Sequence, residues 1–386
     1  MGNIMRYSAW LLSAFLLIGC SNSMIRDDRP LESNPQDDPV YSLFLIGDTG
    51  SSQLEPREPI LQVLQAQMQE AGERSTVLFL GDNIYPDGLP PEGSDARQRA
   101  EERIMAQLLT IEEQPGRIIF VPGNHDWYSS EPEGLEWLQR QEEFIESYLD
   151  RGNVFLPDNG SPGPATVLVG DKNRIKGLPY NIRLILLDTH WWLHPHEKSV
   201  DPAFESEEEQ KEHVYAEMER LIRENPEDEM VLAAHHPFFS YGRHGGRFPV
   251  STHLVPPVFG SIYAGYRAVW GYQQDIANYK PLKRNLLESM NQKPGMIYAA
   301  GHEHSLQFIP FDNDGQPQYQ LVSGSASQPS FVKDRDDAVR TYEGEGFIAL
   351  HYYTDKSRKI EFWNENGEKV FETFLEIGAA IPAAGR

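Results

Sequence analysis

The sequence predicts an α/β protein built on parallel strand–helix–strand units, and three features carry that reading. Apolar runs of strand length recur: Tyr41 to Ile46, Thr76 to Leu80, Arg117 to Val121, Met230 to Ala234 and Met296 to Ala300. They are too short for helices and rich in Val, Leu, Ile and Phe. Helical spacing lies between them, so strand, helix, strand follows in order. Each run also closes on side chains able to bind a metal. These closures are Gly47-Asp48-Thr49-Gly50, Gly81-Asp82-Asn83-Ile84-Tyr85, Gly123-Asn124-His125-Asp126, His235-His236-Pro237 and Gly301-His302-Glu303-His304. Ligands of open α/β sheets bind just beyond the carboxyl ends of the strands, which is where these residues fall.

The elements follow in chain order. From Pro59 to Glu70, Ile60, Leu61, Leu64 and Met68 keep helical spacing, with the proline in the first turn. A loop from Pro86 to Ser94 leads to a helix over about Asp95 to Leu109. Gly134 to Leu149 is a further helix. The Gly-, Pro- and Asn-rich stretch from Arg151 to Lys176 reads as a surface excursion with a short strand at Ala165 to Val169. Arg183 to Leu187 is a strand closed by Asp188-Thr189-His190, and Ser206 to Arg223 is an acidic helix with a solvated face. His244 to Tyr279 is crowded with Phe248, Tyr263, Tyr266, Trp270 and Tyr272. It is either a lid or an internally packed loop. Lys280 to Met290 is helical. The remainder is strand and turn: Gln318 to Val322, Gly346 to Tyr353 and Lys359 to Trp363. A hairpin at Asn364-Glu365-Asn366-Gly367 then leads into Lys369 to Leu375.

The chain divides into residues 1–20, 21–39 and a single domain over 40–386. Arg6 precedes an apolar stretch from Ala9 to Ile18 that ends in Leu17-Ile18-Gly19-Cys20. That is signal-peptide length and too short to span a bilayer. It resembles a bacterial lipobox, with Cys20 the lipidated residue. The expectation is an exported bacterial lipoprotein at the outer membrane or the cell-surface or periplasmic face, anchored to membrane through Cys20. Cys20 is the sole cysteine, so no intrachain disulfide forms. Ser21 to Pro39, with three prolines and no apolar period, reads as a disordered tether. A net charge of −24 argues against a stable nucleic-acid partner, which would need clustered Lys and Arg.

Asp48, Asp82, Tyr85, Asn124, His235, His302 and His304 are too many for one tetrahedral zinc site, and no pair has zinc-finger spacing. Two adjacent ions sharing a carboxylate would use them all. Singly, each has an ordinary reading: a Gly-Asp after a strand is commonly a turn, and a lone His is commonly a core residue. Repetition at strand end after strand end is what those readings do not explain.

Taken together, Gly-Asp-x-Gly, Gly-Asp-x-x-Tyr, Gly-Asn-His-Asp, His-x-Pro and Gly-His-x-His resemble the calcineurin-like metallophosphoesterases. Within them the chain is similar to the purple acid phosphatases, especially the small, tartrate-resistant type. Gly50 stands where most of the superfamily has a His, and Tyr85 appears in the second motif instead. The resemblance implies a four-layer αββα sandwich with two mixed β-sheets. It also implies one metal on Asp48, Tyr85 and His304, a second on Asn124, His235 and His302, and Asp82 bridging them. A phenol with a pKa near ~10 binds as phenolate only to a strong Lewis acid, which suits Fe(III) at the Tyr85 site. An amide with two imidazoles suits divalent Fe, Zn or Mn at the Asn124 site.

The implied activity is that of an acid phosphatase-like phosphomonoesterase: hydroxide held between the ions attacks the phosphate of a small phosphorylated substrate. His125 resembles the family's phosphate-binding histidine, and His244 falls where the leaving-group acid stands, which predicts an acidic pH optimum. Arg243 and Arg247 are candidate phosphate contacts by spacing. His236 reads as a support behind the ligands or as core. The alternatives are a phosphodiesterase or nucleotidase of the same fold, or a non-catalytic metal- or phosphate-binding lipoprotein.

Overall fold

The computed structural model describes residues 38–244, 276–333 and 339–375. The expected signal segment with Cys20, the expected tether up to residue 37, Arg247 and most of the aromatic stretch lie outside the described residues. In chain order the elements are β1 (Tyr41–Ile46), α1 (Pro59–Ala71), β2 (Ser75–Phe79), α2 (Arg97–Ile111), β3 (Arg117–Phe120) and α3 (Gly134–Leu149). Next come β4 (Ala165–Gly170), β5 (Ile182–Leu186), α4 (Thr189–Leu193), α5 (Glu207–Glu224), β6 (Glu229–Ala233) and α6 (Ile276–Met290). Last are β7 (Ile297–Ala300), β8 (Leu306–Asn313), β9 (Gln316–Ser323), β10 (Arg340–Tyr342), β11 (Gly346–Tyr352), β12 (Arg358–Asn364) and β13 (Lys369–Leu375).

The strands form two mixed sheets, ordered β13-β12-β11-β1-β2-β3 and β10-β8-β9-β7-β6-β5-β4. In the first, β1, β2 and β3 are parallel and β11 joins β1 antiparallel. In the second, β5, β6, β7 and β9 are parallel, with antiparallel β4 at one edge and β8 and β10 at the other. Because strand side chains alternate, each run feeds two cores. Leu43, Leu45, Leu78, Leu80, Ile119 and Val121 face Leu184, Leu186, Val231, Ala233 and Ile297 of the other sheet. Phe44, Ile46, Val77, Phe79 and Ile118 point the other way, onto Ile60, Leu64, Met68, Ile104 and Leu108 of α1 and α2. Ile185, Leu232 and Tyr298 likewise meet Val214, Met218, Leu282 and Leu286 of α5 and α6. Helix, sheet, sheet, helix is the expected four-layer order.

Two strands were not foreseen. β8 contains Pro310, which argues against a strand. Pro310 pairs with Tyr319 of β9, and β10 covers β8 only from Leu306 to Phe308, so among the described residues β10 does not require its missing N–H. The three-residue β10 is too short to leave a pattern. α6 begins at Ile276 instead of Lys280, which puts Pro281 inside the helix; burial of Tyr279 and Leu282 outweighs the lost backbone bond. Ser206 caps α5 by accepting from Glu209 N, which explains why the acidic segment starts there.

Candidate metal centre

All seven candidate donors meet beyond the carboxyl ends of β1, β2, β3, β6 and β7, where the two sheets face one another. The chain turns sharply at each exit. Asp48, Asp82 and His302 all adopt positive φ, at 57°, 53° and 68°. Strained backbone of this kind persists only where its surroundings fix it. Here Asp48 N donates to Gly81 O (3.0 Å), Gly50 N to Asp82 O (2.9 Å) and Tyr85 N to Gly50 O (2.9 Å), lacing the first two loops together. That lacing explains Gly50. A Cβ there would stand 2.5 Å from Tyr85 N and 2.8 Å from Asp82 O, so no side chain fits at residue 50 while the backbone of the second loop keeps this place.

On one side, the Tyr85 hydroxyl donates to Asp48 Oδ1 (2.8 Å) and lies 3.2 Å from Asp82 Oδ2 and 3.1 Å from His304 Nε2. His304 Nε2 is 3.4 Å from Asp48 Oδ1. On the other side, His235 Nε2 is 3.2 Å from Asn124 Oδ1, 3.2 Å from His302 Nδ1 and 3.3 Å from Asp82 Oδ2. Asn124 Oδ1 and His302 Nδ1 are 3.1 Å apart. Asp82 Oδ2 therefore belongs to both groups, while its Oδ1 accepts the His125 backbone N–H (2.9 Å). Asp48 is held similarly, its Oδ2 accepting from His302 N at 2.8 Å.

This geometry fits metal binding. Donors about 2.0–2.2 Å from one ion stand roughly 3 to 3.5 Å from each other. His235 Nδ1 donates to the Leu80 carbonyl (2.8 Å), which leaves Nε2 to face Asp82 and Asn124, both acceptors. Acceptors that converge in this way repel unless a proton or a cation sits among them. The groups Asp48, Asp82, His235 and His235, His236, His302 each bring donor atoms within 4.8 Å of one another.

The electrostatics agree. Burial opposes ionisation of Asp82, yet His235 and His125 hold its carboxyl far below the usual range. Burial, then the charges of Asp48 and Asp82, push the Tyr85 phenol well above its ordinary value. Only a strongly charged cation would make it a phenolate. Burial lowers the basicity of His235, but Asp82 and Asp48 raise it to about 9. The site thus attracts positive charge.

His125 turns Nε2 towards the centre, 3.9 Å from Asp82 Oδ2, while Nδ1 meets the Pro86 carbonyl. His244 places its ring 4.3 Å from that of His302 and 6.4 Å from that of His304. Arg243 is exposed. His236 is buried, with Nδ1 2.8 Å from Thr189 Oγ1 and its ring 4.6 Å from His302. One contributor escaped the sequence reading. Asp126 accepts from Gly123 N (2.7 Å), Asn83 N (3.0 Å), Asn83 Nδ2 (3.0 Å) and Gln141 Nε2 (2.8 Å). It thereby fixes the loop that presents Asn124. Its place two residues after Asn124 was the available signal. Burial, then Asp82, raise its carboxyl to about 6.

No curated protein sequence matches the chain. Solved structures that share its fold include the following two. One is GAP50, the anchor in the inner membrane complex of Plasmodium, at 14% identity and a TM-score of 0.54, covering 88% of this chain and 89% of that one. The other is the purple acid phosphatase PPD1 from yellow lupin (Lupinus luteus) seeds, at 12% identity and a TM-score of 0.54. That match covers 87% of this chain but 54% of the lupin protein. A sequence profile described as calcineurin-like phosphoesterase matches residues 41–306, which contain all seven donors. By that match, over more than half its length, the chain belongs to the calcineurin-like phosphoesterase family.

Proposed function

We propose that the protein is a binuclear-metal phosphomonoesterase of the small purple acid phosphatase type. The observation that carries this is the single oxygen, Asp82 Oδ2, shared by two groups of donors at coordination spacing. Asp48, Tyr85 and His304 would hold a ferric ion, and Asn124, His235 and His302 a divalent one, with Asp82 between them. When bound, such a pair supplies Lewis acidity and an activated water for in-line displacement at phosphorus. His125 Nε2, on the open side of Asp82, donates to the phosphate and steadies the charge that develops there. His244 protonates the leaving oxygen, so activity requires it in its acid form. Asn124 would touch both ion and substrate, and Arg243 and Arg247 are candidate phosphate contacts by their place in the sequence. The same reading places the protein outside the cytoplasm, lipid-anchored through Cys20, with mass measurement of the mature N-terminus as its check.

The test is turnover of p-nitrophenyl phosphate by the purified protein together with its metal content and visible spectrum. A violet band lost in Tyr85→Phe supports the assignment. A colourless protein, active with two divalent ions, replaces the ferric part. A second reading, a non-catalytic anchor that keeps the fold, is favoured by the likeness to GAP50, whose own description is an anchor. Hydrolysis left unchanged by Asn124→Ala would favour it.

A further inference from the structure

Between the metal-site histidines His302 and His304 sits Glu303, a carboxylate with no exposed surface. Ser240 Oγ donates to Glu303 Oε1 and accepts from Gly242 N at 2.9 Å. The carboxylate packs directly on Gly242: a Cβ there would stand 2.2 Å from Glu303 Oε2, so a larger residue would displace it. Other buried polar side chains of the second sheet hold the same segment. Gln307 accepts from Tyr241 N (3.0 Å), and Gln320 accepts from Phe238 N (2.8 Å) and Phe239 N (3.0 Å). Gln320 also returns a bond to Phe239 O (2.7 Å), and Gly242 bridges to Val332. Two residues beyond this anchored stretch comes His244, its ring tilted at 53° against that of His302 with centroids 4.3 Å apart.

Polar groups are rarely placed where solvent cannot reach unless they are bonded, and these bond the backbone of one seven-residue approach to His244. On the reading that His244 is the leaving-group acid, we infer that Glu303 is its positioning residue. Through Ser240 it fixes the 240–242 turn against the strand end that carries His302, and so sets where the His244 imidazole stands relative to the centre. A displacement of about an ångström at such a group is enough to cost activity.

The experiment compares Ser240→Ala and Glu303→Ala on two esters. One is p-nitrophenyl phosphate, whose leaving group departs without an acid; the other is glycerol phosphate, whose alkoxide needs one. In both variants kcat on glycerol phosphate should fall at least about 10-fold and on p-nitrophenyl phosphate less than about 3-fold, with metal content kept. In a His244→Ala background neither change should cost anything further. Equal losses on both esters, or losses that add to His244→Ala, would overturn the assignment. Hydrogen exchange over residues 238–244 of the metal-free protein gives a readout that needs no turnover. It should quicken in both variants while β7 and β9 stay protected, and unchanged exchange rejects the clasp. If the parent protein hydrolyses neither ester, the phosphatase reading fails, and exchange alone decides whether Glu303 holds the segment.

Discussion

On the Tyr85 side of the proposed centre the donors are a phenol, two carboxylates and one imidazole; on the Asn124 side they are an amide oxygen, two imidazoles and the shared carboxylate. The first side gathers anionic oxygen and the second neutral nitrogen, so they suit ions of different charge. They are also held differently. Asp48 and Asp82 are bound into laced backbone turns, and the Asn124 loop is fixed from behind by buried Asp126. The difference teaches that the two sides are separable. On the proposed reading, one ion would be removable without the other, except through Asp82.

That comparison is broken most severely at the shared oxygen. Asp82→Asn should release both ions and reduce phosphatase activity by about 10³-fold or more, checked by metal analysis alongside kcat/KM. Asn124→Ala should release only the divalent ion, halving the metal content while activity falls about 10²-fold. Tyr85→Phe should leave two ions bound but erase visible absorption and weaken the preference for a trivalent metal, which competition between ferric and divalent ions would measure. If Asn124→Ala and Tyr85→Phe deplete the same ion, the division into two sides is wrong.

The smallest effect lies behind the centre, at Asp188. It accepts from Trp127 Nε1 (2.7 Å), His190 N (2.9 Å) and Trp191 N (3.1 Å), and burial pushes its carboxyl up to about 7 despite these bonds. The folded protein therefore holds this proton at pH values where the unfolded chain has released it. Its contribution to stability falls as pH rises from about 4 to 7. Denaturation of parent and Asp188→Asn should show the parent's relative stability declining across that window. A difference independent of pH would show that Asp188 titrates normally.

Much of this was legible in the sequence because the signals were local. Strand-length runs placed Asp48, Asp82, Asn124, His235 and His302 at strand exits, and Pro59 and Ser206 marked helix starts. Gly50 could be noted from the sequence, but the close approach of the second loop's backbone, 2.5 Å from a Cβ at that position to Tyr85 N, needed coordinates. β8 was hidden by Pro310, whose tolerance depends on how far a neighbouring strand extends. Asp126 and Glu303 were hidden because their partners, Gln141 and Ser240, lie 15 and 63 residues away. No spacing rule reaches side chains brought together by packing alone.

Anomalous X-ray diffraction from crystals of the metal-loaded protein, recorded at the iron edge and at that of the divalent metal, addresses the central claim most directly. The account predicts two peaks flanking Asp82 Oδ2, one within bonding distance of Tyr85 and the other of Asn124. A single peak, or two that leave Asp82 unshared, would contradict it.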